Sequence, residues 1–318
     1  MRHPIITLAL AAVALTGCTM GPNYKRPVVD APQAFRAPEP LPPQQAASFA
    51  DLKWFEVFKD PELQTLIRAA LEHNYDLRDA VAHVEEARAN LGITRANQYP
   101  EVTASGNLQF SRLSRDGSLP LPASFVPSQN RNWGEATINL LSFEVDIWGR
   151  LRRATEAARA NLLNADENRK AVVTTLVSDV ATNYFNLLQL DYELQISRDT
   201  LQSRQDSLRL TQQRQGGGVA TLLDLRQAEE LVATAAQILP TLQQEAEQTE
   251  NQISLLLGRN PAPVTRGRKF MEQEIPPEIP AGLPSSLLDR RPDIRAAEDA
   301  LISANANIGV AKAAYFPQ

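Results

Sequence analysis

Glu101-Val102-Thr103-Ala104-Ser105-Gly106-Asn107-Leu108-Gln109-Phe110-Ser111-Arg112 alternates with a period of two. Val102, Ala104, Gly106, Leu108 and Phe110 take one face; the polar residues between them take the other, as successive side chains of a strand do. A second segment repeats the signal, with Ala136, Ile138 and Leu140 opposing Thr137 and Asn139. Its parity then changes, so that Leu141, Phe143, Val145 and Ile147 oppose Ser142, Glu144 and Asp146. A bulge or an exit from the sheet produces such a shift. Between the segments, 113–130 holds Gly117, Pro120, Pro122 and Pro127, a loop composition. A soluble hairpin with one wet face would alternate in the same way. Two features favour a transmembrane hairpin: a length near the roughly 9–11 residues that cross a bilayer, and a membrane address at the N-terminus.

That address is short. A basic start (Arg2, His3) precedes an apolar run, Ile5 to Leu15, too short to span a bilayer and ending in small residues. Residues 1–17 therefore read as a secretory signal. Leu15-Thr16-Gly17-Cys18 resembles the bacterial lipobox, with cleavage between Gly17 and Cys18 and acylation of the Cys18 thiol. Cys18 is the chain's single cysteine, so an internal disulfide framework is excluded. Acyl chains anchor at about 0.8 kcal/mol per buried CH₂, and several together hold firmly. Thr19 is not the aspartate that marks inner-membrane retention of such lipoproteins, which points to the outer membrane.

Downstream of the hairpin, 150–213 reads as one helix without proline or glycine. Val173, Val180, Leu187, Leu194, Leu201 and Leu208 recur at seven-residue intervals, while the intermediate positions are apolar only at first. A returning helix, 221–257, carries a 3-4 alternation: Leu225, Ala228, Val232, Ala235, Leu239, Leu242, Ala246, Thr249, Ile253 and Leu256. Sustained seven-residue spacing means helices packed at coiled-coil angles. Between the two lies Gly216-Gly217-Gly218-Val219-Ala220. No strand precedes it and no Gly-Lys-Ser/Thr follows, so it is a helical-hairpin tip and not a phosphate loop. The longer helix would measure roughly 96 Å and the returning one roughly 55 Å. A third helical stretch, 77–98, stacked on the shorter one would nearly match the long helix. An even two-helix wall capped by strands follows, a slice of a tube.

Proline divides the remainder. Seven of the 22 prolines lie between Pro22 and Pro43 and seven between Pro261 and Pro292. The first cluster makes 18–50 an extended arm, and the second reads as a connecting segment. Residues 76–100 recur at 293–317, offset by 217. Nine of 25 positions are identical, among them Asp76/Asp293, Arg78/Arg295, Asn90/Asn307, Gly92/Gly309 and Pro100/Pro317. Chance alignment of alanine-rich helices explains matched alanines but not matched Gly, Pro, Asn, Asp and Arg. The chain is thus divided into the signal 1–17, the lipid-anchored arm 18–50, a first structural repeat 51–271, and a linker with the start of a second repeat, 272–318. The second copy stops on the threshold of its strand, so the sequence reads as a C-terminally truncated gene or fragment.

With 43% apolar and 22% charged residues the chain is not disordered, and a net charge of −5 offers no sequence-wide footprint for nucleic acid. Three histidines (His3, His73, His83) leave little for a metal site, and no cofactor motif occurs. Glu144 and Asp146 share a strand face but lack a partner base, nucleophile or metal ligands. Asp289-Arg290-Arg291-Pro292-Asp293 is a charged helix start. No catalytic residues are expected, and no enzyme is indicated.

On these residues the chain resembles the outer membrane factor family, the TolC-like lipoproteins of tripartite efflux pumps (NodT-type branch). The resemblance rests on the lipobox with Gly21-Pro22-Asn23-Tyr24-Lys25-Arg26-Pro27, on Trp54-Phe55 with Asp60-Pro61-Glu62-Leu63, on Phe143-Glu144-Val145-Asp146-Ile147-Trp148-Gly149-Arg150, and on the tip Gly218-Val219-Ala220-Thr221-Leu222-Leu223-Asp224. It implies a mainly α fold with a transmembrane β-hairpin: a homotrimer whose outer-membrane barrel continues into a long periplasmic α-helical tunnel. Two strands cannot close a barrel, since small ones need about eight; two repeats in each of three chains supply twelve. Val102, Ala104, Leu108 and Phe110 would then face lipid. The implied function is passive conduction of drugs or other small molecules, with a part in antibiotic resistance, from periplasm to exterior. The implied partners are an inner-membrane transporter and a periplasmic adaptor docking at Gly216, Gly217, Gly218, Val219 and Ala220. The alternatives are an exit duct for type I protein secretion and a non-channel periplasmic adaptor or structural lipoprotein.

Overall fold

A computed structural model describes residues 19–27, 53–112, 130–274 and 290–317. In chain order the elements are α1 (Trp54–Val57), α2 (Pro61–His73), α3 (Tyr75–Ala96), β1 (Glu101–Arg112), β2 (Asn130–Ser142), α4 (Arg150–Gly216), α5 (Leu222–Leu256), a 3₁₀ turn (Phe270–Glu272) and α6 (Pro292–Ala313). The signal segment, Cys18, most of the proline-rich arm and the loop 113–129 lie outside the described residues. The chain divides into two compact units. One comprises Met1–Arg26, Glu86–Leu162 and Asp299–Gln318; the other comprises Pro27–Glu85 and Leu163–Glu298.

The second unit holds the main apolar core. Its α2 starts on Pro61 at the first helical position, with Asp60 as N-cap accepting from the Glu62 N–H. Leu63, Leu66, Ile67 and Ala70 bury one stripe. They join Leu176, Val177, Val180, Tyr184, Leu187 and Leu194 of α4, and Ala246 and Ile253 of α5. Full burial of each leucine or isoleucine contributes about 1.5–3 kcal/mol. Although its spacing is helical, α2 is not among the sequence-based expectations.

Both seams form. The seven-residue positions of α4 are buried at Val180, Leu187 and Leu194 and half-buried at Val173, Leu201 and Leu208. Cover thins toward the tip, where the intermediate positions are polar. On α5 every one of the ten expected seam residues is buried or half-buried, and Pro240 falls on the exposed side, where its missing N–H costs least. The long helix runs three residues further than the proline-free pattern suggested, to Gly216, and measures about 100 Å at 1.5 Å per residue. The third helix starts and ends two residues earlier than expected; its start is capped by the Asn74 side chain, which accepts from the Leu77 N–H.

In the first unit β1 and β2 form a two-stranded antiparallel sheet. The strand β1 has the expected bounds. Its partner begins at Asn130, well before Ala136, and ends at Ser142, so Phe143, Val145 and Ile147 lie outside the sheet. Glu101 pairs with Ser142 and Val102 with Leu140, so Leu141 is the extra residue of a bulge. The parity change therefore marks a bulge followed at once by the strand's end. Helices α3 and α6 are both 22 residues long, Tyr75 and Pro292 are 217 positions apart, and so are Ala96 and Ala313.

Candidate functional site

Cross-strand pairing puts like with like. Val102/Leu140, Ala104/Ile138, Gly106/Ala136 and Leu108/Gly134 share one face, and Leu108 lies across the glycine opposite it. Phe110 ends this row beside Asn132. The structure thus brings Val102, Ala104, Leu108 and Phe110 to one side. On it Val102, Leu108, Phe110, Ile138 and Leu140 are between 64% and 81% exposed. The opposite face pairs Thr103/Asn139, Ser105/Thr137, Asn107/Glu135, Gln109/Trp133 and Ser111/Arg131. There Ser105 and Thr137 hydroxyls bond at 2.7 Å. Among the paired residues of this side only Trp133 is large and apolar. An apolar face this continuous and this bare has no covering element among the described residues, whereas a soluble hairpin would bury it.

The helical tip is built by backbone bonds and one capping box. Gly216 belongs to α4, not to the turn. Gly217 donates to Gln213, and Val219 and Ala220 both donate to the Arg214 carbonyl. Gly218, at φ +71°, supplies the left-handed residue that ends the helix; a side chain there would be strained. The Thr221 hydroxyl accepts from the Asp224 N–H at 3.1 Å, while the Asp224 carboxylate accepts from Thr221 N–H and Oγ1. These bonds, backbone first, hold the exposed Asp224 carboxyl below its usual range. Val219, Leu222 and Leu223 are all exposed around this turn. Gly17 and Cys18 lie outside the described residues.

The segment after β2 resolves the acidic pair. Glu144 and Asp146 do not share a strand face, because the strand has ended. Glu144 forms a forked ion pair with Arg150. Asp146 accepts from the N–H groups of Leu151 and Arg152 and so caps the 67-residue helix. Trp148 stacks on Phe316 at 4.5 Å. Both carboxylates are thus structural. The charged helix start is equally local: Arg291 forks onto Asp293, one residue either side of Pro292.

A buried, hydrogen-bonded titratable pair sits elsewhere, and sequence reading missed it. Asp60, 3% exposed, accepts from Tyr184 Oη at 2.9 Å, Gln273 Nε2 at 2.8 Å and the backbone N–H groups of Glu62 and Arg268. Burial pushes its carboxyl up, but these hydrogen bonds outweigh it and hold the group below the usual range. Burial pushes the Tyr184 phenol well up; the N–H donated by Gly267 opposes this and Asp60 adds to it. The cavity beside Asp60 is about 10 Å³, too small for a substrate. The pair therefore ties the 267–273 segment to α2 and α4. Nearby Arg266 bridges Asp191 of α4 and Glu250 of α5. Among the described residues no group of three or more His, Cys, Asp or Glu is placed to hold a metal ion. No helix among them is long and apolar enough to cross a membrane.

Residues 66–259 match the family described as outer membrane efflux protein. The chain is 37% identical over 310 residues to the cation efflux system protein CusC of Escherichia coli O6:H1, covering 96% of this chain and 64% of that protein. It is 36% identical over 323 residues to the toluene efflux pump outer membrane protein TtgC of Pseudomonas putida, covering 100% of this chain and 65% of that one. Among solved structures, the open state of the Neisseria gonorrhoeae MtrE outer membrane channel matches with a TM-score of 0.76 at 32% identity, covering 94% of this chain and 64% of that chain. The chain spans just under two thirds of the length of the relatives it matches.

Proposed function

The chain belongs to the outer membrane efflux protein family and has the TolC-like fold, and from that premise we propose that it forms part of a trimeric outer-membrane channel of a tripartite efflux pump. In this reading it passively conducts drugs, cations or other small molecules from periplasm to exterior, and it is a transport protein, not an enzyme. The observation that carries the reading is a strand pair with one bare apolar face that leads, within eight residues, into a 67-residue helix. A 12-residue strand is about 40 Å long and, tilted at about 45°, rises about 28 Å, close to the hydrocarbon thickness. A lone pair leaves sheet edges open, which lipid does not tolerate, so the pair must join others in a closed barrel. The apolar face then meets lipid and the face of Ser105, Asn107 and Thr137 meets water.

We read 51–271 as one structural repeat and 272–318 as the linker and start of the next, which the matched helices α3 and α6 support. Efflux is tested in cells lacking the protein, which are expected to accumulate a cationic dye until the wild-type gene is restored. Accumulation unaffected by its loss would exclude a role in efflux of that class.

Cys18 is the proposed site of acylation and anchorage. Cys18→Ser is expected to abolish incorporation of labelled palmitate, and undiminished labelling would remove the anchor from this account. The tip Gly216–Ala220 is the proposed adaptor contact, in keeping with exposed apolar Val219, Leu222 and Leu223 on a turn braced from within. Val219→Asp should lower crosslinking to the adaptor several-fold, since a carboxylate resists burial in an apolar contact, while trimers persist. Wild-type crosslinking would move the contact elsewhere.

A further inference from the structure

The residues that follow Cys18 are fastened to the protein wall by a buried arginine. Arg153, whose side chain is 4% exposed, belongs to the first turns of α4. Its Nε donates to the Met20 carbonyl at 3.1 Å, and its Nη2 donates to the Gly21 carbonyl at 3.3 Å and to Asn23 Oδ1 at 2.7 Å. Glu156 takes Nη1 at 2.7 Å and supplies the countercharge. The planar guanidinium thus spends three bonds on three residues of the 20–23 stretch, a task its fixed fork suits and an ammonium does not. Met20 N–H donates to the Trp148 carbonyl at 3.0 Å, and Asn305 Nδ2 of α6 donates to the Pro22 carbonyl at 2.9 Å.

Glycines make the seat. A Cβ on Gly309 of α6 would lie 2.6 Å from the Met20 carbonyl oxygen and 2.9 Å from Arg153 Cγ. Gly21 takes φ +89° and passes so close to Gly309 that neither has room for a side chain. Gly92, which occupies the matching position of the first repeat copy, has open space around it. Close approach at 309 therefore comes from the segment after Cys18 and from Arg153, not from any demand of the helix.

We propose that Thr19–Asn23 is a docked strap and that Arg153 is the positioning residue that seats it in the Gly309 notch. The strap fixes Met20, two residues after the proposed acylation site, to Trp148, six residues from the end of β2. An acyl group on Cys18 would then be joined to a seated segment; this consequence rests on the acylation of Cys18, whereas the seat does not.

Hydrogen exchange at the Met20 amide of the full chain tests the seat, because that amide is protected only while the strap is docked. Loss of three charge-assisted bonds in Arg153→Gln should speed exchange at least about tenfold, with amides further along α4 unchanged, and Arg153→Lys should recover only part of the protection. Gly309→Ala keeps the chain folded, since alanine favours a helix, yet it blocks the notch and should expose Met20 to a similar degree. Gly92→Ala makes the same exchange of residue type and should leave Met20 as in wild type. Wild-type protection in Gly309→Ala, or equal loss in Gly92→Ala, overturns the proposal whether or not Arg153→Gln folds. Palmitate labelling of the wild-type chain is read in parallel: its absence removes the lipid from the account while Met20 exchange still decides the seat.

Discussion

Asp60→Ala is expected to destabilise the unit built around α2, α4 and α5 by about 3–5 kcal/mol. The carboxylate is the common acceptor of four donors drawn from three distant parts of the chain. Removing it strands the buried Tyr184 hydroxyl at about 1–3 kcal/mol, frees the part-buried Arg268 N–H at about 1 kcal/mol, and deletes the α2 N-cap, about 1 kcal/mol more. Tyr184→Phe should cost less, about 1–3 kcal/mol, because Asp60 keeps its other donors. The double variant should fall short of the sum, since both members act on one network. Denaturant unfolding followed by helix circular dichroism measures all three; a midpoint in Asp60→Ala equal to wild type would remove the network from the list of what holds this unit together. The pH dependence has a fixed sign. A carboxyl whose pKa is lowered in the folded state stabilises fully above its unfolded value, near 3.8, and loses that contribution as pH falls through the lower folded value. Wild type should therefore weaken in acid more steeply than Asp60→Ala.

What could be read from sequence follows the range of the interactions involved. The strand β1 alternates from Glu101 to Ser111, so its bounds were legible. The ten α5 seam positions were legible for the same reason, periodic spacing. The start of β2 was not, because Asn132 and Gly134 stand on its apolar face and Trp133 on its polar one, which erases the alternation over 130–135. The pair Glu144 and Asp146 looked alike in sequence but serve a salt bridge and a helix cap, roles set by Arg150 and by where the helix begins. Asp60-Pro61-Glu62 carries a local helix-start signature, yet its partners Tyr184 and Gln273 lie 124 and 213 residues away, with no periodic trace. Arg153 gave no signal either: it is one of several arginines in a charged helix start, and its partners are backbone carbonyls about 130 residues upstream.

Leu108→Arg and Ile138→Arg are each expected to cost about 2–4 kcal/mol of stability in the proposed barrel, while Asn107→Arg on the neighbouring position should cost little. Leu108 and Asn107 are adjacent near the middle of β1, so their depth is nearly constant and only the face differs, while Ile138, opposite Ala104, probes the apolar face about 13 Å along the strand. A guanidinium on the apolar face must be placed in hydrocarbon or drag water to it, whereas on the side of Ser105, Asn107 and Thr137 it stays hydrated. The measurement is the yield of trimers in the outer-membrane fraction and their resistance to heat in detergent. Leu108→Arg and Ile138→Arg should lower both sharply and Asn107→Arg neither. Equal loss from both faces would mean the sheet is covered on both sides, and loss from Asn107→Arg alone would invert the assignment of lipid and water. The contrast has force because a one-residue step along β1 exchanges the two environments: in a strand that meets lipid on one side, register alone decides whether a charge is tolerated.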